Sequence, residues 1–117
     1  MAAGVDVTAL SSYGETALHI AGLSGSRKVA KLLLDAGADV NAHTPEGETE
    51  WMTPIMWALY HKHVELVRDL LDAGADPFAT NQNHKSVLEM AREIEHPELV
   101  KMISDAMDKQ RQQKDEV

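Results

Sequence analysis

The chain contains no cysteine and few aromatic residues. Without cysteine among its 117 residues it has no disulfide, no thiolate nucleophile and no cysteine-ligated zinc, although the redox compartment stays open. A cytoplasmic location fits, and so does a bacterial periplasmic one in which Met1 to Ala3 replace a removed signal peptide. Any core must be built mainly from aliphatic side chains, because only five residues are aromatic. Those five are Tyr13, Trp51, Trp57, Tyr60 and Phe78.

Basic charge and long apolar runs are also scarce. Nineteen Asp and Glu residues against eleven Lys and Arg residues give a formal net charge of -8. This charge repels phosphate backbones and anionic lipids, so nucleic acid and membranes are poor partners. No apolar run approaches the roughly 20 residues of a membrane span. With 44% hydrophobic residues, the chain is expected to fold as a soluble unit.

The chain does contain an internal repeat. The segment DAGAD occurs at positions 35–39 and again at 72–76, so Gly37 and Gly74 are equivalent with an offset of 37. Matching starts, TALHIA at 16–21 and TPIMWA at 53–58, have the same offset, and SVLEMA at 86–91 follows with an offset of 33. Gly4 precedes Gly37 by that shorter offset. The period is therefore 33, with four residues inserted in one connection.

Each repeat unit predicts a helical hairpin. In the first unit, apolar residues at positions 18 and 21 precede a turn at 24–26, and others recur at 29, 30, 33 and 34 with the spacing of a helix face. Gly37 and Gly74 follow the second helices, at the position where a left-handed backbone ends a helix. Three such hairpins predict an all-α repeat solenoid.

These motifs resemble the ankyrin repeat, whose pattern runs G-x-T-P-L-H-x-A-A, a turn with G-H, then V-V, L-L and G-A-D-V-N-A. Residues 14–42 match it almost throughout. The second copy has Met56 for the motif histidine and Lys62 for the turn glycine. The third has Ser86 and Val87 for Thr-Pro and resembles a C-terminal cap. The resemblance covers about residues 2–105 and implies a non-catalytic fold that binds proteins through a concave face.

The resemblance implies that residues 1–108 form one domain made of successive segments. Residues 2–13 are interpreted as the tail of a partial repeat, 14–43 as a repeat, 44–52 as an extended finger loop, 53–80 as a repeat and 81–108 as a capping repeat. The polar tail 109–117 is expected to be frayed or disordered. Since the partial repeat brings no helices, the first hairpin is expected to lack a neighbour on one side, which leaves self-association open.

Catalytic and metal-binding motifs are absent from the sequence. The nearest approach to a G-x-S-x-G elbow, at residues 22–26, ends in Ser26, and no phosphate loop, His-Glu-x-x-His or calcium loop is present. His61 and His63 have metal-ligand spacing, but the family uses the histidine at His63 to hydrogen-bond the neighbouring turn, and His19 and His96 also match structural positions. We therefore predict no catalytic residue, cofactor or metal, with a histidine-based metal or hydrolytic site as the less favoured alternative.

The family's variable positions give the candidate partner contacts. Among them, Leu23, Tyr60 and Ile94 are apolar where solvent is expected, which favours a binding stripe over scattered exposed residues. The predicted contacts outside the finger loop are Ser11, Ser12, Glu15, Leu23, Ser24, His43, Tyr60, His61, Asn81, Gln82, Lys85, Glu93 and Ile94.

The finger loop holds the four inserted residues. Pro45 and Gly47 indicate a turn, and the alternation of glutamates predicts an extended strand with a negative ridge beside Trp51 and Met52. The glutamates are Glu46, Glu48 and Glu50. Trp51 either anchors a partner or folds back onto Trp57 and Tyr60.

The principal hypothesis is that the chain binds another protein through its concave face and finger loop and regulates or inhibits that protein by occlusion. An enzyme with a basic or open cleft would suit the acidic finger. Some small bacterial ankyrin proteins shield an enzyme that the same cell makes, so an immunity role of this kind is included. The alternative within the same class is a passive scaffold that tethers its partners.

Overall fold

The computed structural model describes residues 9–12, 14–47 and 51–115. Most of the partial repeat expected at 2–13 lies outside the described residues. The described helices are α1 (Ala17–Ser24), α2 (Arg27–Asp35), α3 (Pro54–Tyr60), α4 (Val64–Asp72), α5 (Val87–Glu93) and α6 (Pro97–Asp115). Within these ranges the extended pairing is limited to one isolated antiparallel bridge, between Thr80 and Ser86.

The helix ends follow from the residues at them. The hydroxyls of Ser26 and Ser86 accept hydrogen bonds from the third backbone N–H of α2 and α5. Gly37 and Gly74 follow the ends of α2 and α4 with φ of +96° and +99°, a conformation that glycine adopts without steric cost. The two DAGAD segments are therefore equivalent corners of successive repeats, as the sequence predicted.

The six helices stack as two rows. The first helices of the hairpins, α1, α3 and α5, pack in one row, and the second helices, α2, α4 and α6, pack in the other. Each hairpin closes its apolar side against the next, which builds one continuous core. The largest fully buried side chains include Leu18, Ile55, Leu59, Leu66, Leu70, Met90, Leu99 and Ile103. The expected all-α repeat solenoid is confirmed.

Polar contacts join the first repeat to the second. The ring Nε2 of His63 lies 3.1 Å from the carbonyl oxygen of Leu23, so His63 bonds the neighbouring turn as the family motif implies. On the row of second helices, Arg27 Nε lies 2.7 Å from an Asp69 carboxylate oxygen. The side chain of Asn41 accepts from the backbone of Asp76 at 2.7 Å. These contacts fix the spacing of the two hairpins.

The second repeat has two buried polar side-chain atoms without hydrogen-bond partners in the described residues. With Met56 in place of histidine, the backbone N–H of Thr53 donates to the Met56 sulfur at 3.4 Å, a weak bond. Within the described residues, the hydroxyl of Thr53 and the indole nitrogen of Trp57 are buried and have no hydrogen-bond partner. The buried polar atoms of the second repeat are thus less completely hydrogen-bonded than those of the first.

The last helix is longer than the sequence analysis expected. The tail 109–117 was predicted to be frayed or disordered, whereas α6 continues to Asp115. Lys, Arg and Gln favour helix, and the Arg111 guanidinium lies 5.4 Å from the centre of the Phe78 ring. An Arg111–Asp108 pair of 3.5 Å adds local support. Helix α6 thus extends over most of the segment for which fraying is predicted, and residues 116 and 117 lie outside the described residues.

Candidate protein-binding face

One side of the molecule gathers most of the predicted contact positions. We call it the front face: the exposed sides of α1, α3 and α5 with the described loops that lead into them. Each loop runs directly into a first helix, so a loop and its helix present side chains to the same side. The geometry of the front face depends on how these loops are held.

His19 joins α1 to the finger loop. Its buried ring places Nε2 2.8 Å from the carbonyl oxygen of Met52 and Nδ1 3.1 Å from the backbone nitrogen of Thr16. A carbonyl accepts and a backbone N–H donates, so these contacts require a neutral ring with its proton on Nε2. Burial lowers the pKa of His19 below its ordinary value of 6.5, and the bond to Met52 offsets this only in part.

The free energy of unfolding should therefore depend on pH through His19. Above pH 6.5 the ring is neutral in the folded and unfolded chains alike and contributes no pH dependence. Below it, the unfolded chain binds a proton that the folded chain excludes, so the unfolding free energy falls by up to about 1.4 kcal/mol per pH unit until the folded pKa is reached. Urea unfolding between about pH 5 and 8 should give a steeper acid loss for wild type than for His19→Gln. Equal slopes would contradict this assignment.

The finger loop is closed at its base. The backbone N–H of Thr44 donates to Met52 at 2.9 Å, and that of Trp51 donates to Pro45 at 3.1 Å. The backbone N–H of Met52 donates to the Thr44 hydroxyl at 2.8 Å. These three bonds hold the two ends of the loop together, and Gly47 turns the chain with φ of +102°. The loop therefore leaves the repeat stack from a fixed base.

Trp51 stands at the exposed end of the finger loop. It has φ of +56°, a left-handed value rather than the extended one of a strand. Its ring stacks on His43, with the centroids 3.5 Å apart and the planes 17° from parallel. The described ends of the loop thus form a closed turn, whereas most of the predicted strand, through Glu48 and Glu50, lies outside the described residues. Trp51 also remains exposed beside His43 rather than folding onto Trp57 and Tyr60.

Gln82 clamps the finger loop to the next loop. Its side-chain oxygen accepts from the backbone nitrogen of Gly47 at 2.7 Å, and its side-chain nitrogen donates to the Gly47 carbonyl at 3.1 Å. Sequence analysis assigned Gln82 to partner contact, whereas both of its hydrogen-bonding atoms are used inside the molecule. The two Gln82–Gly47 hydrogen bonds hold the tip side of the finger loop, and the His19 bond to Met52 holds its base.

Two predicted contact residues are buried. Met52 has only 3% of its surface exposed and belongs to the core, because its backbone pairs with Thr44 and turns the side chain inward. Asn81 is also buried, and its side-chain oxygen accepts from the backbone of Asn83 and Lys85. Both residues shape the loops, and their assignment as contacts is corrected here.

The predicted apolar stripe is shorter than expected. Leu23 and Tyr60 are 38% and 37% exposed at equivalent places on α1 and α3. The next equivalent position, one repeat period after Tyr60, is Glu93, whose carboxylate pairs with Lys85 at 2.8 Å and raises the pKa of that amine above 10.5. Ile94 is half-buried and packs against the core, so it does not extend the stripe. The front face is apolar at α1 and α3 and charged at α5.

The remaining predicted contacts are spread over the front face. Glu15 is half-buried and its carboxylate accepts from the Ser11 hydroxyl at 3.2 Å. Glu46 and His61 are exposed. Glu48 and Glu50 lie outside the described residues, so the predicted negative ridge stays a prediction.

The histidine pair does not assemble a larger ligand group. The rings of His61 and His63 stand 6.0 Å apart, and His63 already bonds to Leu23. Over the ranges that the structure describes, no group of three His, Cys, Asp or Glu side chains is arranged to hold a metal ion. Nor does any described helix combine the length and apolarity needed to cross a membrane.

Comparison with known sequences decides the family. The sequence model of the family described as ankyrin repeat matches residues 13–45 and 50–82, together more than half of the chain. The chain belongs to the ankyrin-repeat family. Ankyrin repeats generally mediate protein–protein interaction and are typically non-catalytic.

Three relatives illustrate the range of proteins that contain similar repeats. A putative ankyrin repeat-containing protein of Treponema pallidum is 34% identical over 104 residues, 88% of this chain and 34% of that protein. Ankyrin repeat and SAM domain-containing protein 6 of Rattus norvegicus is 38% identical over 100 residues, 84% of the chain and 11% of the relative. Inactive serine/threonine-protein kinase TEX14 of Bos taurus is 40% identical over 73 residues, which are 62% of this chain and 5% of that protein. The chain thus spans about a third or less of each.

Proposed function

We propose that this ankyrin-repeat chain binds a partner protein through its front face and regulates that partner by covering its functional site. The observation that carries the proposal is the pair of exposed apolar side chains, Leu23 and Tyr60, on a rigid row of helices. Apolar groups on a preorganised surface bind without a large loss of conformational entropy.

The finger loop supports the same proposal. It is anchored through the His19 bond to Met52 and through the double contact of Gln82 with Gly47. Trp51 is exposed on it and stacked on His43, which reduces the freedom that the indole would lose on binding. Tryptophan and tyrosine are enriched among the residues that dominate binding energy. Trp51, Leu23 and Tyr60 are therefore the proposed anchors.

Net charge favours a basic partner. The chain has a formal charge of -8, and Glu46, Glu48 and Glu50 all belong to the finger loop sequence. Acidic side chains around apolar anchors speed association with a basic surface and disfavour acidic ones. A basic or open cleft of an enzyme would accept such a loop, which is the basis for proposing inhibition rather than tethering alone.

Affinity capture with variants tests the binding surface. Tyr60→Ala and Trp51→Ala should each weaken the dissociation constant for the captured partner about tenfold or more, because each removes an anchor of the interface. Binding would be measured by calorimetry with the purified partner. Lys101→Ala on α6, an exposed residue away from the front face, is the matched control and should bind as wild type. Unchanged affinity in both anchor variants would remove the front face from the proposal.

The partner's own activity separates regulation from tethering. With the chain at saturation, an inhibited enzyme loses activity in proportion to occupancy, whereas a tethered partner keeps it. The anchor variants should shift inhibition and binding by the same factor. If the partner kept its full activity at saturation, the chain would act as a scaffold and the occlusion proposal would be contradicted.

A further inference from the structure

The outward side of α2 carries exposed apolar side chains. Val29 and Leu32 are 46% and 49% exposed. The residues that correspond to Val29 in the second and third repeats are Leu66 and Leu99, and both are buried in the core. Those two have a preceding hairpin against them, whereas the described part of the chain has no helix on that side of α2. Covering an apolar pair of this kind with another surface lowers the free energy, because the side chains are removed from water.

The same side of α2 carries an ordered set of charges. Together with the apolar pair and Ala36, the charged residues follow the spacing i, i+1, i+4, i+7 and i+8, which places all five on one face of a helix. All of them are exposed. We call this set the α2 face: Lys28, Val29, Leu32, Asp35 and Ala36. A basic residue stands at its start, apolar residues at its middle and an acidic residue near its end.

We propose that the α2 face is the interface of a homodimer in which two α2 helices pack antiparallel about a twofold axis near Leu32. Such an axis places Leu32 against its own copy. It also places Lys28 beside Asp35 of the second copy, because the two charges lie about equally far from Leu32 along one edge of the helix. The face is therefore complementary to itself, the condition for a closed twofold interface, and each ion pair forms twice.

The neighbouring charges leave this pairing free to form. Among the ion pairs of the described residues, none involves Lys28, Lys31 or Asp35, and Arg27 is occupied by Asp69. Lys28, Lys31 and Asp35 all border the groove between α2 and α4. Lys31 is rotated about 100° from Leu32, further than either member of the proposed ion pair, so it lies furthest from the twofold axis. Antiparallel packing also opposes the two helix dipoles, which is favourable.

The dimer would leave the front face accessible. The α2 helix belongs to the row of second helices, and the proposed anchors Leu23 and Tyr60 belong to the first helices. A dimer would present two front faces, and a partner with two binding sites would gain from their linkage. The dimer proposal does not depend on the proposed function, since self-association can be measured without a partner.

Sedimentation equilibrium with the full chain tests the interface. Wild type should approach twice its 12.9 kDa mass as the concentration rises. Leu32→Glu should sediment as a monomer, because two carboxylates would meet at the axis. Circular dichroism checks that helix content is kept, which is expected since Leu32 is exposed. A monomeric wild type at the highest soluble concentration would overturn the proposal, as would a dimeric Leu32→Glu.

A charge exchange tests the orientation. Lys28→Glu and Asp35→Lys should each raise the dimer dissociation constant about two- to thirtyfold, since two surface pairs are lost by symmetry. The double variant restores opposite charges and should recover wild-type affinity. Lys101→Glu with Asp105→Lys makes the same exchange on exposed residues of α6 and should change nothing. Additive weakening in the α2 double variant would exclude the antiparallel arrangement.

Discussion

Replacing His19 with leucine is expected to lower the free energy of unfolding by about 2–4 kcal/mol, because it removes the contacts of a buried ring with Thr16 and Met52. Leucine fills a similar volume but leaves the backbone nitrogen of Thr16 and the carbonyl of Met52 without these partners. Urea unfolding at neutral pH measures the loss.

His61→Leu is the control for the His19 result. His61 is exposed and, within the part of the chain that the structure describes, makes no bond that ties two repeats together. Its replacement should therefore change the unfolding free energy by about 0.5 kcal/mol or less. A His19→Leu protein as stable as the control would mean that the ring contacts do not hold the finger loop to α1.

Gly22→Val is expected to lower the free energy of unfolding by about 3 kcal/mol, because it forces α1 and α3 apart. A Cβ at Gly22 would stand 2.7 Å from the carbonyl oxygen of Pro54, and backbone atoms cannot yield as a side-chain tip does. Gly22→Ala should be less harmful but still destabilising, although alanine elsewhere in a helix gains about 1 kcal/mol over glycine. Denaturant unfolding of both variants gives the ranking.

Ser24→Val is the matched control for Gly22. It adds a branched side chain to the exposed end of the same helix and should cost about 0.5 kcal/mol or less. Stabilisation by Gly22→Ala would show that helix propensity outweighs the close approach, and the two helices would then have room to separate.

The repeat period determined most of the fold in advance. Gly37 and Gly74 could be assigned to helix ends because only a residue without a Cβ takes their φ easily, and the structure bears this out. The role of His63 also followed from its place in the motif. Local rules of this kind recur in each repeat, so an assignment made in one repeat can be checked at the equivalent position of the next repeat.

The candidate site was harder to predict where the chain departs from the repeat. Trp51 belongs to the loop that four extra residues lengthen, and no motif position specifies its left-handed backbone or its stack on His43. The clamp between Gln82 and Gly47 joins positions that differ by 35, which sequence spacing alone does not bring together. Ile94 could have been excluded, because one repeat period counted from Tyr60 reaches Glu93.

Met52 illustrates a different kind of error. Its place among the family's variable positions predicts a contact, but backbone bonds to Thr44 on one side and to His19 on the other turn it into the core. Side-chain direction in an irregular loop depends on such bonds, and a sequence pattern carries no signal for them.

The two-row stack has a consequence for how the molecule comes apart. The extensive helix contacts run from each hairpin to its neighbour, so the middle hairpin of α3 and α4 is the member in contact with both others. Opening an outer hairpin breaks one junction, whereas opening the middle one breaks two. Fluctuations should therefore begin at the outer hairpins, and cooperativity between them passes through α3 and α4.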